Sequence, residues 1–356
     1  MTLNRRTVQL GSMLVGDGYE TVFMAEINSA FDHDLVEGKH MIKAAADAGC
    51  HFLKAEILCS TDIVLDDGSS YEYTYGNRGE RTSERWYDIV LRKMNPLSFY
   101  EKMFSYSRSI GLEFVVSAYD IESVEFLADI AAAGIKIPSP ILNHEPIIRA
   151  AARTGIPIIF DTSNAYLSDI GRALIWAEQY GASGVVLNQH PGGNPAPPEI
   201  HNLNIIRLLK KTFGVPAGLS CHYVGDEILY AAVGVGANVL EKPISFNPLK
   251  KDLDTIFSAH IDDLPNIVRK VRACWLALGT GEARSFIPTR NLDQRMGVVA
   301  KSNLVGGIQL TTDTCRFAWP CKGVSVEDWS KIEGRRLSRS VQSGIPIKWS
   351  DIDFSE

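Results

Sequence analysis

The sequence predicts an α/β protein: a (β/α)8 TIM barrel followed by a small β-rich domain. Three observations predict it. Eight short apolar runs recur along the chain, each followed by an amphipathic stretch, and that alternation marks parallel βαβ units. Eight such units over roughly 250 residues match a barrel. From about Ile287 the alternation stops and short β-like pieces take over, among them "GVVAKSNLVGG", "QLTTDTCRF" and "GRRLSRSVQSGIPI". The expected division is residues 1–284 for the barrel and 285–356 for the second domain.

The eight expected strands are "TVFMAEIN" (21–28), "CHFLKAEI" (50–57), "LEFVVSAYD" (112–120), "AGIKIPS" (133–139), "PIIFDTS" (157–163), "SGVVLNQ" (183–189), "PAGLSCHY" (216–223) and "ANVLEKPIS" (237–245). The last is stopped by Pro243, which has no N–H to give a sheet ladder. Helix-like segments such as "DLVEGKHMIKAAADAG", "SVEFLADIAAAG" and "NIIRLLKKTFG" lie between them, and most end in glycine, a helix stop signal. Residues 58–95 interrupt the pattern with a long polar, aromatic-bearing insertion. A loop of that length reads as a lid or substrate wall over one mouth of the barrel.

Bulk properties set limits. The chain has 356 residues, 45% hydrophobic and 22% charged, with a net charge of −6 and no long basic run. Neither nucleic acid nor an anionic membrane is an expected partner. No apolar run reaches the ~20 residues needed to span a bilayer. The opening residues lack the apolar core and cleavage site of a secretory signal, so the expected compartment is the cytoplasm. The six cysteines contain no CxxC pair and read as small buried hydrophobes.

In such a barrel the strand ends at the C-terminal face build the active site. Strand one offers Glu26 and Asn28, strand two Lys54 and Glu56, strand four Lys136 and Ser139. Strand five offers Asp161, Thr162 and Ser163, strand six Asn188, Gln189 and His190. Strand seven offers Ser220, Cys221 and His222, strand eight Glu241 and Lys242. A single charge at a strand end is more often a loop salt bridge than a catalyst. Seven polar strand ends are different, because they converge on one cavity where unpaired burial is costly. Lys54, Lys136 and Lys242 beside hydroxyls suit a phosphate or carboxylate ligand. His222 is the leading acid–base or metal-ligand candidate, with Cys221, Glu241, His190 and Asp254 available beside it. A Schiff-base role for Lys136 or Lys54 is the rival.

The motifs "MAEINSAFDHDLVEGKHMIKAAADAGCHFLKAE", "IKIPSPILNHEPII" and "GLSCHYVGDEILYAAVGVGANVLEK" resemble, in that order, those of the sialic acid synthase family. The tail "RMGVVAKSNLVGGIQLTTDTCRFAWPCKGVS" resembles the antifreeze-like (SAF) domain that closes such chains. The resemblance runs almost end to end. It implies a transferase that condenses phosphoenolpyruvate with a sugar-type aldehyde to give a 2-keto-3-deoxy acid. It implies Lys54, Lys136, Ser139 and Ser220 as phosphate and carboxylate ligands, and Glu26, His222 and Asp254 as catalytic groups. It implies a divalent metal (Mn2+ or Mg2+) held by His222 and a second histidine. It also implies a homodimer whose SAF domains swap, so that the tail segment with Arg316 and Trp319 reaches the partner's active site. Asn28, Asp161, Thr162, Asn188, Gln189 and Lys242 complete the expected substrate contacts.

The chain also departs from that pattern. Pro243 stands where the second metal histidine belongs, and Cys221 replaces an aspartate before His222. Asp161 replaces a phosphate-binding serine. Ile141 replaces a sugar-contacting glutamate, and Trp319 replaces the arginine of the tail. Proline has no ligating side chain, so two expectations stand: a metal held by His222 together with Glu241, His190 or Cys221, or an enzyme that works without a metal. The acceptor is therefore expected to differ from N-acetylmannosamine. Two alternatives stand beside the synthase: an aldolase- or lyase-like barrel enzyme that no longer uses phosphoenolpyruvate, and a non-catalytic sugar-acid binding protein.

Overall fold

The computed structural model describes residues 6–28, 31–76, 78–280 and 294–355. The chain divides into two units, Met1–Thr280 and Gly281–Glu356. The boundary expected at 284/285 lies outside the described residues.

The first unit opens with a hairpin that the sequence reading did not foresee. β1 (Thr7–Leu10) and β2 (Met13–Gly16) pair antiparallel. The two residues between them, Gly11 and Ser12, make the turn, with Gly11 at φ 50°. Alternating apolar residues in "TVQLGSMLV" were the available signal.

Eight parallel strands then close a barrel: β3 (Val22–Asn28), β4 (Phe52–Glu56), β7 (Glu113–Ser117), β8 (Gly134–Ile137), β9 (Ile158–Asp161), β10 (Val185–Gln189), β11 (Ala217–Ser220) and β12 (Val239–Ser245). Pairing of β12 with β3 and of β11 with β12 completes the circle. All eight lie inside the runs read from the sequence, but β12 is not stopped by Pro243: it continues to Ser245, with Pro243 in register with Glu26. Between β4 and β7 the insertion forms a second hairpin, β5 (Ser70–Tyr75) and β6 (Glu80–Arg85). A short β13 (Ala259–His260) pairs parallel with the end of β12.

The helices follow in order: α1 (Leu35–Asp47), α2 (Trp86–Lys93), α3 (Leu97–Ser109), α4 (Ile121–Asp129), α5 (Glu145–Arg153), α6 (Leu167–Gln179), α7 (Pro198–His201), α8 (Asn204–Phe213), α9 (Glu227–Gly234) and α10 (Leu264–Leu278). Their ends follow local chemistry. Asp34 caps α1, accepting from Val36 N at 2.7 Å, and Asp120 caps α4, accepting from Ser123 N at 2.6 Å.

Strand alternation sorts the barrel into layers. Outward residues such as Phe23, Leu53, Phe114, Ile135, Phe160, Leu187 and Leu240 join the helix-facing core. Inward residues at the lower end are apolar: Val22, Met24, Phe52, Val115, Ile159, Val186 and Val239. Val8, Leu10 and Val15 of the first hairpin seal that layer from below. Gly134 and Gly184 leave room for the plug. A Cβ on Gly134 would lie 2.7 Å from Leu10, and one on Gly184 2.8 Å from Val8. One layer higher the inward residues turn polar, and this is where the site lies.

The second unit has its own apolar core, including Val298, Leu310, Val324, Ile332, Leu337 and Ile347. Its longest strands, β14 (Gly297–Ala300) and β15 (Cys315–Ala318), pair antiparallel. A shorter pair, β16 (Arg336–Leu337) and β17 (Ile352–Asp353), joins them in the unit. Among the described residues no helix is long and apolar enough to cross a membrane.

Candidate active site

The polar inward layer is Glu26 (β3), Lys54 (β4), Ser117 (β7), Lys136 (β8), Asp161 (β9), Asn188 (β10), Ser220 (β11) and Glu241 (β12), all buried. The charges form a chain. Lys54 contacts Glu26 and lies 3.6 Å from Glu56 and 4.0 Å from Glu241. Lys136 contacts Glu241 and lies 2.8 Å from Asp161. Ser220 Oγ donates to Glu241 at 2.8 Å. Tyr119, just past β7, donates to Glu56 at 3.1 Å. The lysines expected to await an anion are thus already paired with carboxylates.

Burial sets the protonation states. It pushes the Glu26 carboxyl up to about 8, and the neighbouring Glu241 charge adds to the rise, together outweighing Lys54. Burial likewise lifts Asp161 to about 6 against the pull of Lys136. It opposes ionisation of Glu241 too, but Lys136 and Lys54 prevail and hold that carboxyl down at about 2. Asp254 is lifted by burial to about 7, against Lys93. Several buried atoms here have no hydrogen-bond partner among the described residues: Asp161 Oδ1, Glu241 Oε2, Ser117 Oγ and both polar atoms of the Asn188 side chain. Such atoms are rarely left unsatisfied, so the barrel interior is built to hold water or a polar ligand.

Two imidazoles stand at the mouth. His222 Nε2 and His190 Nε2 are 3.1 Å apart. His222 Nδ1 faces Gly193 O and Asn194 Oδ1, both at 3.0 Å. A carbonyl only accepts, so Nδ1 carries the proton and His222 Nε2 presents a lone pair. Phe257 stacks on the His222 ring at 4.3 Å. His190 Nδ1 lies 3.4 Å from Ser139 Oγ, which in turn accepts from Ser163 N at 3.0 Å. Burial lowers both imidazoles, His222 to about 4 and His190 well below its ordinary value.

The insertion covers this mouth, as the sequence suggested. Lys93 of α2 lies 2.7 Å from Asp252 in the loop after β12, and the Asp254 charge reaches Tyr71 of β5. Asn28 donates to Asp254 across the opening.

Comparison with known proteins decides the family. The profile of the NeuB family matches residues 41–283. The chain belongs to the NeuB family. It is 25% identical to the N,N'-diacetyllegionaminic acid synthase of Legionella pneumophila, over 95% of this chain and 96% of that one. It is 26% identical to the N-acetylneuraminate-9-phosphate synthase of Homo sapiens, over 95% and 94%. The solved structure of the Bacillus subtilis spore coat polysaccharide biosynthesis protein spsE superposes with a TM-score of 0.67 at 22% identity, covering 98% of this chain and all of that one, and supports the barrel fold. Membership of a family of synthases makes this protein an enzyme, which sets aside the non-catalytic alternative.

Within this NeuB-family barrel the structure gathers some expected residues and turns others away. Glu26, Lys54, Lys136, Asp161, Asn188 and Ser220 share the inner layer, with Ser139, His190, His222, Asn28 and Asp254 at its rim. Lys242 is not among them. It follows inward Glu241, so it points outward and donates to the carbonyls of Tyr223 and Gly225. Gln189 follows Asn188 and likewise points outward, donating to His201 O at 3.1 Å. Cys221 follows Ser220 and is buried in the helix-facing core, which removes it as a partner for His222. Glu241 is engaged with Lys136 and Ser220 rather than with the histidines. Thr162 spends its hydroxyl on Asn188 O at 3.0 Å. Ile141 packs against the core, half-buried. Arg316 and Trp319 belong to the second unit, where both are exposed. Ser117, Tyr119 and Asn194 were missed by the sequence reading: Ser117 closes β7, and Tyr119 and Asn194 lie in the segments after β7 and β10, where no period marks them.

Proposed function

We propose that the protein joins phosphoenolpyruvate to a sugar-type aldehyde, giving a 2-keto-3-deoxy acid and phosphate. The observation that carries this reading is the grouping of Lys54, Lys136, Ser139 and Ser220 around a buried polar interior in a NeuB-family barrel. Lys54 and Lys136 supply positive charge to the donor's phosphate and carboxylate. C3 of the enol attacks the aldehyde carbon, whose oxygen takes up a proton. Water adds to the cationic C2, and phosphate leaves as the ketone forms. Glu26, raised to about 8, is protonated at neutral pH and can donate a proton from inside the barrel. Asp254, raised to about 7 and fixed by Asn28, is poised to accept one. A divalent cation, when bound, would polarise the acceptor carbonyl.

The acceptor differs from N-acetylmannosamine in this reading, because Ile141 and Trp319 replace polar contacts. The natural setting is a specialised sugar or secondary-metabolite pathway. A second reading rests on one contact: Asp161 occupies Lys136 at 2.8 Å, where a donor phosphate would bind. On that reading the barrel is aldolase- or lyase-like and uses pyruvate or another enol. The test is phosphate release from phosphoenolpyruvate with a panel of hexosamine-derived and deoxy-sugar aldehydes, run beside pyruvate consumption. Aldehyde-dependent phosphate release supports the synthase. Pyruvate turnover without phosphate release replaces it with the second reading.

A further inference from the structure

We propose that His190 and His222 together form an open two-nitrogen site for a divalent transition metal, with His190, at the end of β10, supplying the nitrogen that Pro243 on β12 cannot. This rests on the barrel mouth being the active site, but not on the identity of the donor or acceptor.

Two metal–imidazole bonds of about 2.1 Å place their nitrogens about 3.0 Å apart at a right angle and about 3.4 Å apart at a tetrahedral angle. The two Nε2 atoms lie 3.1 Å apart. They are therefore already spaced as neighbouring ligands of one ion. Pro243 points to the barrel interior, in register with Glu26 of β3, and offers no ligand there.

Each ring is held from behind, as metal-binding imidazoles are. His222 donates its Nδ1 proton to Gly193 O, so its Nε2 lone pair faces His190. That carbonyl is aimed by the turn at Gly192 and Gly193, whose φ values of 72° and 84° favour glycine. Phe257 fixes the ring plane. His190 Nδ1 faces Ser139 Oγ at 3.4 Å and Asp161 Oδ2 at 3.9 Å. Without a metal, one proton lies between the two Nε2 atoms, on His190, and Ser139 donates to His190 Nδ1. With a metal, His190 takes the other tautomer, its Nδ1 proton turned to Ser139 and Asp161. Both tautomers find partners, so the exchange leaves no buried group unpaired.

Among the described residues no third His, Cys, Asp or Glu side chain completes a cluster with them. The remaining positions on the ion fall to water or a substrate oxygen, as in a catalytic rather than a structural site. Nitrogen ligands favour cobalt, nickel, copper or zinc over magnesium.

The test uses the full chain, stripped with a chelator and titrated with Co2+ without substrate, read by equilibrium dialysis and by visible absorption. One ion per chain is expected. His190→Ala and His222→Ala should each weaken binding at least tenfold, with melting curves showing that the variants fold. In the wild-type protein, pulsed EPR of bound Cu2+ should count two imidazoles, which holds the proposal open to refutation even where a variant fails to fold. Wild-type binding no tighter than that of the double variant would reduce the pair to a hydrogen bond alone. A single imidazole, or binding indifferent to His190→Ala, would overturn the assignment of His190.

Discussion

Asp161 is the residue on which the choice of donor turns. It is buried on β9 beside Lys136, and its carboxyl is lifted to about 6. Below that value it is mostly neutral and can donate to a phosphate; above it, its charge opposes one and competes for Lys136. Donor affinity in the wild-type protein should therefore fall as pH rises through about 6. Asp161→Ser should bind phosphoenolpyruvate more tightly at pH 8, by about tenfold for ~1.4 kcal/mol of relieved repulsion. The ratio of variant to wild-type affinity should shrink towards one near pH 5. Calorimetric titrations of both proteins across that range check this, and a ratio that does not change with pH would sink it. The sequence revealed that Asp161 departs from its expected serine. It did not reveal that Lys136 compensates for it, because the partner comes from a neighbouring strand 25 residues away in the chain. Lys242 shows the same limit from the other side. One step along a strand reverses the face, and the run "LEKP" alone does not say which of Glu241 and Lys242 points inward.

At the scale of elements, the eight barrel strands were legible because each is a compact apolar run with a turn signal at both ends. The β1–β2 hairpin was not. Four-residue strands carry little periodic signal, and its function as a plug exists only against the closed barrel. Leu10 is fully buried there, against the inward lower layer of β-strand residues. Leu10→Ala should cost about 2–5 kcal/mol, the range for emptying a packed leucine site. Denaturant unfolding would measure this. The polar layer lies above the plug, so donor affinity should be unchanged under conditions where the variant remains folded. A loss below 1 kcal/mol would mean the hairpin lies loosely on the barrel rather than sealing it.

For the whole molecule, the sequence separated a barrel from a β-rich tail because the alternation of strand and helix simply ends. The role of the tail was not legible, because the pattern of a single chain carries no signal for assembly. Arg316 and Trp319 are exposed on the second unit, and Phe317 between them packs edge-on against Trp329 at 5.1 Å. From the family resemblance we propose that this tail is an antifreeze-like domain serving the partner's barrel in a homodimer. That arrangement makes a sharp prediction. A Glu26→Gln chain has a defective barrel and a native tail. A chain carrying Arg316→Ala and Trp319→Ala has the reverse. In a swapped dimer each mixed pair contains one site with native barrel and native tail, so random pairing should restore about a quarter of wild-type activity. Co-expression with two affinity tags, followed by purification of the mixed dimer, isolates that pair. If each tail instead serves its own barrel, the mixed dimer contains no intact site, and activity stays at the level of the separate variants.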